Sequence, residues 1–356
     1  MEQRKLPLVS VVIPHWRGKE ILFRCLNSLL AANTLSTEIY LIDNGSTDGS
    51  VDEAIRQFPL VKVIRAEKNL GFAGGCNLGI RESKGEYVLL LNDDADVTPG
   101  FLEPLVKAME ADTTIAACQP KICSIRYPKS FDYAGAAGGF LDIYGFPFCQ
   151  GRIFTTIEED RGQYDDPCEI FWASGACCLL KMSALRAVGP LDEEFFAHME
   201  EIDLQWRLRL AGYKIVVVPT STVRHEAGTT LSPDQPYKTY LNHRNSLIMI
   251  LKNHRVKTLI HVLPVRLFLD SVAVLYRVLH GQILNAFAIL RALGYVLFNL
   301  TAILQRRDQR KAMVRQSDRI LPVLMYRRSI VWDYFLLKRR KFPDLPPQAF
   351  VRAGND

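Results

Sequence analysis

The chain has 356 residues, 48% of them apolar and 23% charged, which supports a sizeable core in one large or two modest domains and excludes a largely disordered polymer. The net charge of +6 hides an asymmetry: residues 241–356 carry twenty Lys and Arg against six Asp and Glu, while residues 1–240 carry twenty-four against thirty-two. An acidic front and a basic, apolar back point to a globular body joined to a part that meets an anionic surface.

Residues 1–7 are polar and run straight into a strand pattern, so neither a signal peptide nor an N-terminal anchor is expected and a cytosolic location follows. The eight cysteines, Cys25 to Cys178, include no metal-type CxxC pair, and free buried thiols are expected. Residues 9–14 are β-rich and end at Pro14, which predicts a first strand. Residues 19–32 place apolar side chains at helical spacing, with Ile21, Leu22, Cys25, Leu26, Leu29 and Leu30 on one face. Residues 38–43 predict a second strand ending on Asp43, followed by the polar turn Asn44-Gly45-Ser46-Thr47-Asp48-Gly49-Ser50. A short helix over 50–58 and a third strand over 61–64 come next. Asn69-Leu70-Gly71-Phe72-Ala73-Gly74-Gly75-Cys76-Asn77 predicts a glycine-rich loop opening a helix that runs to about residue 83.

Tyr87-Val88-Leu89-Leu90-Leu91 is an unbroken apolar run, the pattern of a strand buried on both faces. It stops on Asn92-Asp93-Asp94-Ala95-Asp96. Three carboxylates this close repel one another, and a divalent cation shared with phosphate oxygens would compensate them; an acidic turn after a core strand is the other reading. Alternating strands and helices of these lengths predict an α/β, Rossmann-like, mostly parallel doubly wound sheet, which binds ligands beyond its strand C-termini. Backbone amides of the glycine-rich segment would approach phosphates, unless the glycines serve packing. Asp43 would accept from a base or ribose, unless it only forms its turn.

Farther on, residues 101–112 predict a helix. Residues 118–170 show no clear periodicity and predict irregular loops around a site. Residues 171–180 combine small residues with an apolar end returning to the sheet. In residues 195–207, apolar positions 199, 202 and 206 mark one face of a helix. Its first turn holds Glu200, Glu201 and Asp203, where the macrodipole favours acids and Asp203 can pair with Arg207. Residues 213–219 predict a strand, and His225 follows it. From about residue 240 the chain turns helical, apolar and basic. Residues 259–304 are apolar but interrupted by Arg266, Asp270, Arg277, His280 and Arg291. A central Arg is unfavourable in a spanning helix by about 2.5–3.5 kcal/mol, which favours amphipathic helices in a membrane interface. Arg306-Arg307, Arg327-Arg328 and Lys338-Arg339-Arg340-Lys341 would meet anionic headgroups. A solvated basic bundle packed on the body is the other reading. No nucleic-acid-binding motif accompanies these runs, so nucleic acid is not an expected partner.

Pro14 after the first strand, the Asp43-to-Gly49 turn, the Asn69-to-Asn77 segment and Leu91-Asn92-Asp93-Asp94, in this order, resemble the family 2 glycosyltransferases, in particular the branch that includes rhamnosyltransferases. The resemblance implies a GT-A fold over residues 1–239, with 240–356 as a helical, amphipathic, membrane-associated extension. It implies an inverting enzyme that uses a nucleoside-diphosphate sugar, dTDP-rhamnose as the first expectation, with Mn2+ or Mg2+. The acceptor would be a lipid-linked or cell-surface glycan, met from the cytoplasmic, inner face of the cell membrane. It places the donor near Pro14, His15, Asp43, Asn69, Gly71, Asn77, Asn92, Asp93, Ser174 and Gly175, and the metal on Asp94, Asp96 and His225. Residues 118–170 would shape the acceptor cleft, and residues 229–236 would close over the donor. The family's Glu-Asp pair reads Glu200-Glu201 here, which gives Glu201 the role of general base and leaves Glu200 as second candidate. Its acidic signature begins with Asn92 instead of Asp. These two departures keep a non-catalytic nucleotide-sugar-binding module as the alternative, beside a sugar nucleotidyltransferase.

Overall fold

Residues 9–91 build β1 (Val9–His15), α1 (Lys19–Ala32), β2 (Thr37–Asp43), α2 (Ser50–Gln57), β3 (Val61–Arg65), α3 (Gly71–Glu82) and β4 (Tyr87–Leu91). The protein is seen in a computed structural model that describes residues 8–32, 35–226, 235–313 and 324–351. The four strands pair in parallel in the order β3-β2-β1-β4. The chain continues through β5 (Ala95–Val97), α4 (Leu102–Ala111), β6 (Ile115–Ser124), β7 (Gly139–Leu141), β8 (Pro147–Cys149), β9 (Arg152–Ile153) and β10 (Thr156–Ile157). It goes on to β11 (Cys168–Glu169), β12 (Cys177–Lys181), α5 (Met182–Val188), α6 (Glu200–Leu210) and β13 (Lys214–His225). Strand β12 inserts antiparallel between β4 and β6, β13 lies parallel to β6, and β5 and β11 run antiparallel to β13. The result is the expected mostly parallel α/β sheet.

Strand alternation divides the core in two. Val9, Val11, Ile13, Leu89 and Leu91 pack on one face with Leu22, Leu26 and Leu105. Val12, Val88 and Leu90 pack on the other with Ala73, Leu185 and Leu204. Helices cover both faces, which is why β4 reads as an unbroken apolar run. Adjacent Cys177 and Cys178 fall on opposite faces, and all eight cysteines are free thiols.

Two stretches differ from the sequence reading. The glycine-rich segment is not a loop: α3 begins at Gly71, and its glycines admit close neighbours. A Cβ on Gly71, which has φ +72°, would stand 2.2 Å from the Phe196 carbonyl oxygen; one on Gly75 would stand 3.2 Å from Pro14 Cβ and Asn44 Nδ2. Residues 118–170 are not irregular throughout, because β7–β10 form a small antiparallel sheet. Strands of two or three residues are too short to show a period, and positive-φ glycines at Gly145 and Gly151 turn between them.

The C-terminal part comprises α7 (Pro236–Asn253), α8 (Val256–Leu279), α9 (Ile283–Phe298), α10 (Leu300–Met313) and α11 (Ile330–Phe335). Leu247, Ile248 and Leu251 of α7 share one apolar cluster with Phe171, Phe195 and Trp206. Tyr326 and Phe350 return to the small sheet, packing on Phe148 at 5.7 and 6.3 Å. Helix α8 is long and apolar enough to cross a membrane. Its inner face, however, carries the buried pair Arg266–Asp270 at 3.0 Å, with Arg266 also donating to the Tyr144 carbonyl and to Ser246 Oγ. The apolar window over 281–304 is divided between α9 and α10, whose axes bend by 64°.

Candidate active site

A cleft of about 810 Å³ opens beyond the C-terminal ends of β1 and β4. Strand β4 delivers Asn92, Asp93 and Asp94 into it, and the end of β13 delivers His225. His225 Nε2 stands 2.9 Å from Asp94 Oδ1 and 3.2 Å from the Asn92 amide nitrogen. His225 Nδ1 bonds Asp132 Oδ1 at 2.9 Å. Burial opposes charge on this imidazole, but Asp94 and Asp132 outweigh it and raise its pKa to about 10. Asn92 therefore contacts the histidine, while Asp94 faces it as the acid.

On the β1 side, His15 is fully buried, with Nδ1 2.6 Å from Asp93 Oδ2 and Nε2 2.8 Å from Ser50 Oγ. It holds Asp93 in place, and burial, only partly offset by His15, raises the pKa of that acid. Asn44 clamps the start of α3, accepting from the Leu70 amide and donating to Asn69 Oδ1 and the Gly71 carbonyl. Pro14, Asn69 and Gly71 line the cleft at this end, and Ser174 and Gly175 line it near β12. Three other predicted residues do not reach the lining. Asp43 caps its own turn through Ser46 and pairs with Arg65 at 2.9 Å. Asn77 donates to the Leu191 carbonyl and to Glu193 inside the fold. Asp96 lies on β5, paired in register with Arg224. Most of the segment 229–236 lies outside the described residues.

The opposite wall is the first turn of α6. Glu200 and Glu201 both line the cleft, and each has one buried carboxylate oxygen, Oε2, without a hydrogen-bond partner. Burial raises both, Glu200 also through repulsion from Glu201, and Glu201 is pushed up to about 7. Asp203 turns inward instead, bonding Arg207 Nε at 3.1 Å, Lys252 Nζ at 3.1 Å and Asn253 Nδ2 at 2.8 Å. One acidic cluster thus divides into a structural acid and two cleft-facing acids.

The segment before α6 is strained. Phe196, His198 and Met199 take φ of 63°, 69° and 73°, a region costly for side-chain-bearing residues. Asn245 Nδ2 holds it by donating to the carbonyls of Phe195, Ala197 and His198 at 2.8, 2.8 and 2.7 Å. Arg244 adds bonds to the Glu194 and Phe195 carbonyls.

A family model described as "Glycosyl transferase family 2" matches residues 10–189, about half of the chain and the whole β1-to-α5 region around this cleft. The chain belongs to glycosyltransferase family 2. It is 30% identical over 270 residues to the N-acetylglucosaminyl-diphospho-decaprenol L-rhamnosyltransferase of Mycobacterium tuberculosis, covering 70% of this chain and 85% of that one. It is 24% identical over 67% of its length to the O-antigen biosynthesis protein RfbC of Myxococcus xanthus, of which it spans 19%. A crystal structure of GalNAc-T7 with UDP, GalNAc and Mn2+ superposes with a TM-score of 0.60 at 19% identity, over 84% of this chain and 58% of that one, which shows the shared GT-A fold. The protein is thus a glycosyltransferase, as the residue motifs implied.

Family membership raises the question of a divalent cation, and the donor chemistry fits one. A hard carboxylate, Asp94, and an imidazole, His225, face each other, and Asp132 holds the far ring nitrogen, the arrangement that orients metal-binding histidines. Asp132 was not identified from sequence. It sits 93 residues from His225 in an aperiodic stretch, which gave no local signal for it.

Proposed function

We propose that this family 2 glycosyltransferase moves a sugar from a nucleoside-diphosphate donor onto a lipid-linked or cell-surface glycan with inversion, rhamnose from dTDP-rhamnose being the first candidate. The observation that carries the reading is the pair Glu200–Glu201, the first buried and the second half-buried, partly unbonded and facing the cleft that also holds Asp94 and His225. A general base works best with a pKa near the operating pH, and burial gives Glu201 a value of about 7. Its carboxylate takes the proton of the acceptor hydroxyl as that oxygen bonds the anomeric carbon. The bond from that carbon to the donor phosphate breaks on the opposite face, and the nucleoside diphosphate leaves. Asp94 and His225 would hold a divalent cation, Mn2+ or Mg2+, which would neutralise charge on the departing diphosphate. Asn69, Gly71 and the start of α3 would cradle the donor. A Glu201 with one unbonded carboxylate oxygen and a pKa of about 7 supports turnover rather than mere retention of a nucleotide sugar.

The acceptor reading rests on the mycobacterial relative, whose name specifies a diphospho-decaprenol substrate. Exposed Phe268, Leu275, Phe287, Leu290 and Phe298 along α8 and α9 supply an apolar face for the cytoplasmic surface of a membrane. A thermal-shift panel of dTDP, UDP and GDP, with Mn2+ or with EDTA, tests the donor class. Metal-dependent stabilisation by one of them, followed by its release in a transfer assay with the matching sugar nucleotide, is expected. No stabilisation by any, or release of pyrophosphate in its place, would overturn the reading.

A further inference from the structure

On the side of the cleft formed by the small sheet lies a cation that the transfer chemistry above does not use. Arg152, on β9, lines the cleft yet is only 6% exposed. Its Nη2 donates to Cys149 Sγ at 3.5 Å, a weak acceptor, and its Nε is buried with no hydrogen-bond partner. The guanidinium lies over the Tyr133 ring, 4.5 Å from its centroid. No carboxylate forms an ion pair with it among the described residues; the carboxylate acting on it from a distance, Asp132, is bonded to His225. Lys238, at the start of α7, enters the same cleft close enough to Arg152 for the two charges to repel. A buried guanidinium without a counter-ion is strongly unfavourable, and its planar fork matches phosphate oxygens. A buried guanidinium that faces the cleft without a carboxylate partner makes a site for an anion.

The surroundings favour one source of that anion. Phe154, two residues along, lines the same cleft and packs on Phe335 at 5.3 Å. Phe335 is half exposed on α11, beside exposed Trp332, Leu336 and Leu337. An apolar edge therefore leads from the cation pair to the surface, where the basic run Lys338 to Lys341 follows. This suits a phosphate joined to a hydrocarbon chain.

We propose that Arg152, assisted by Lys238 and Tyr133, is the binding subsite for the phosphate of a lipid-phosphate acceptor. The inference rests on the transferase reading, and its test separates the two. Binding is measured by titration calorimetry on the full chain, for geranyl diphosphate as the acceptor-like probe and for dTDP or UDP with Mn2+ as the donor-like probe. Arg152→Gln and Lys238→Gln are compared with wild type, and Arg152→Lys serves as the charge-retaining variant should Arg152→Gln fail to fold. Losing a charge-assisted contact is expected to weaken geranyl diphosphate by about tenfold or more while nucleotide binding stays unchanged. Weakening of the nucleotide alone would assign the subsite to the donor and overturn the proposal; unchanged binding of both probes would also overturn it. If wild type binds geranyl diphosphate through Arg152 but binds no nucleotide, the subsite stands and the nucleotide-sugar reading fails.

Discussion

Lys252 Nζ lies 3.1 Å from Asp203 Oδ2, joining the helix that carries Glu200 and Glu201 to the C-terminal helices. Both side chains are buried, and Lys252 also reaches Asp192 at 2.6 Å. Removing one partner of a buried pair leaves an uncompensated charge, so Lys252→Met is expected to destabilise the fold by about 3–5 kcal/mol in urea unfolding. An unchanged unfolding midpoint would mean that α7 contributes little to holding α6. The pair also has a pH signature. Burial opposes ionisation of Asp203, but Lys252 and Arg207 prevail and hold its pKa below the usual carboxylate range. A depressed folded-state pKa contributes stability above the unfolded value, and that stability is lost as pH falls through the folded one. The stability advantage of wild type over a variant whose Asp203 is replaced without loss of fold should therefore shrink as pH falls through the acid range.

Glu201 has the opposite linkage. Its folded pKa of about 7 lies above that of an unfolded glutamate, so its ionisation costs stability as pH rises from the carboxylate range through 7. Glu201→Gln is expected to raise the melting temperature, more at pH 8 than at pH 5, and to abolish transfer while leaving nucleotide binding intact. A positioned base contributes about 10²–10⁴-fold, which sets the expected loss. A variant with near-wild-type turnover would move the role to Glu200.

Asp132 tests the metal reading without altering a direct ligand. Support of a ligating histidine from behind is worth about 10–100-fold in metal affinity. Asp132→Ala is expected to raise by that factor the Mn2+ concentration needed for nucleotide-dependent stabilisation. Equal Mn2+ titrations in wild type and variant would argue against His225 as a ligand.

The central sheet was legible because its signals are local: β-rich runs ending on Pro14, Asp43 and Leu91, with helical spacing between them. The pairing of Asp203 with Arg207 was equally local, at i and i+4. The missed features are set by long-range packing. His225 meets Asp132 across 93 residues, and Asn245 meets Ala197 across 48. The glycines of α3 suggested a loop, but they lie within the helix, where Gly71 and Gly75 admit the Phe196 carbonyl and Pro14 at close range. Sequence also could not show which of three neighbouring acids, Glu200, Glu201 or Asp203, turns inward, because that depends on where Lys252 and Asn253 dock.

Asn245 carries the last prediction. Three residues with positive φ precede α6, and such conformations persist only where their surroundings over-determine them. Asn245 supplies three of the restraining bonds from a fully buried amide. At about 1 kcal/mol net for each, Asn245→Ala should cost about 3 kcal/mol of stability. The functional effect should be larger than that cost suggests. Once the loop relaxes, Met199 need not present Glu200 and Glu201 to the cleft, and small misplacements of a base are costly. Transfer should therefore fall at temperatures where the variant is fully folded, with nucleotide binding at the β1 side preserved. If transfer per folded molecule is unchanged, the strain has no part in placing the base.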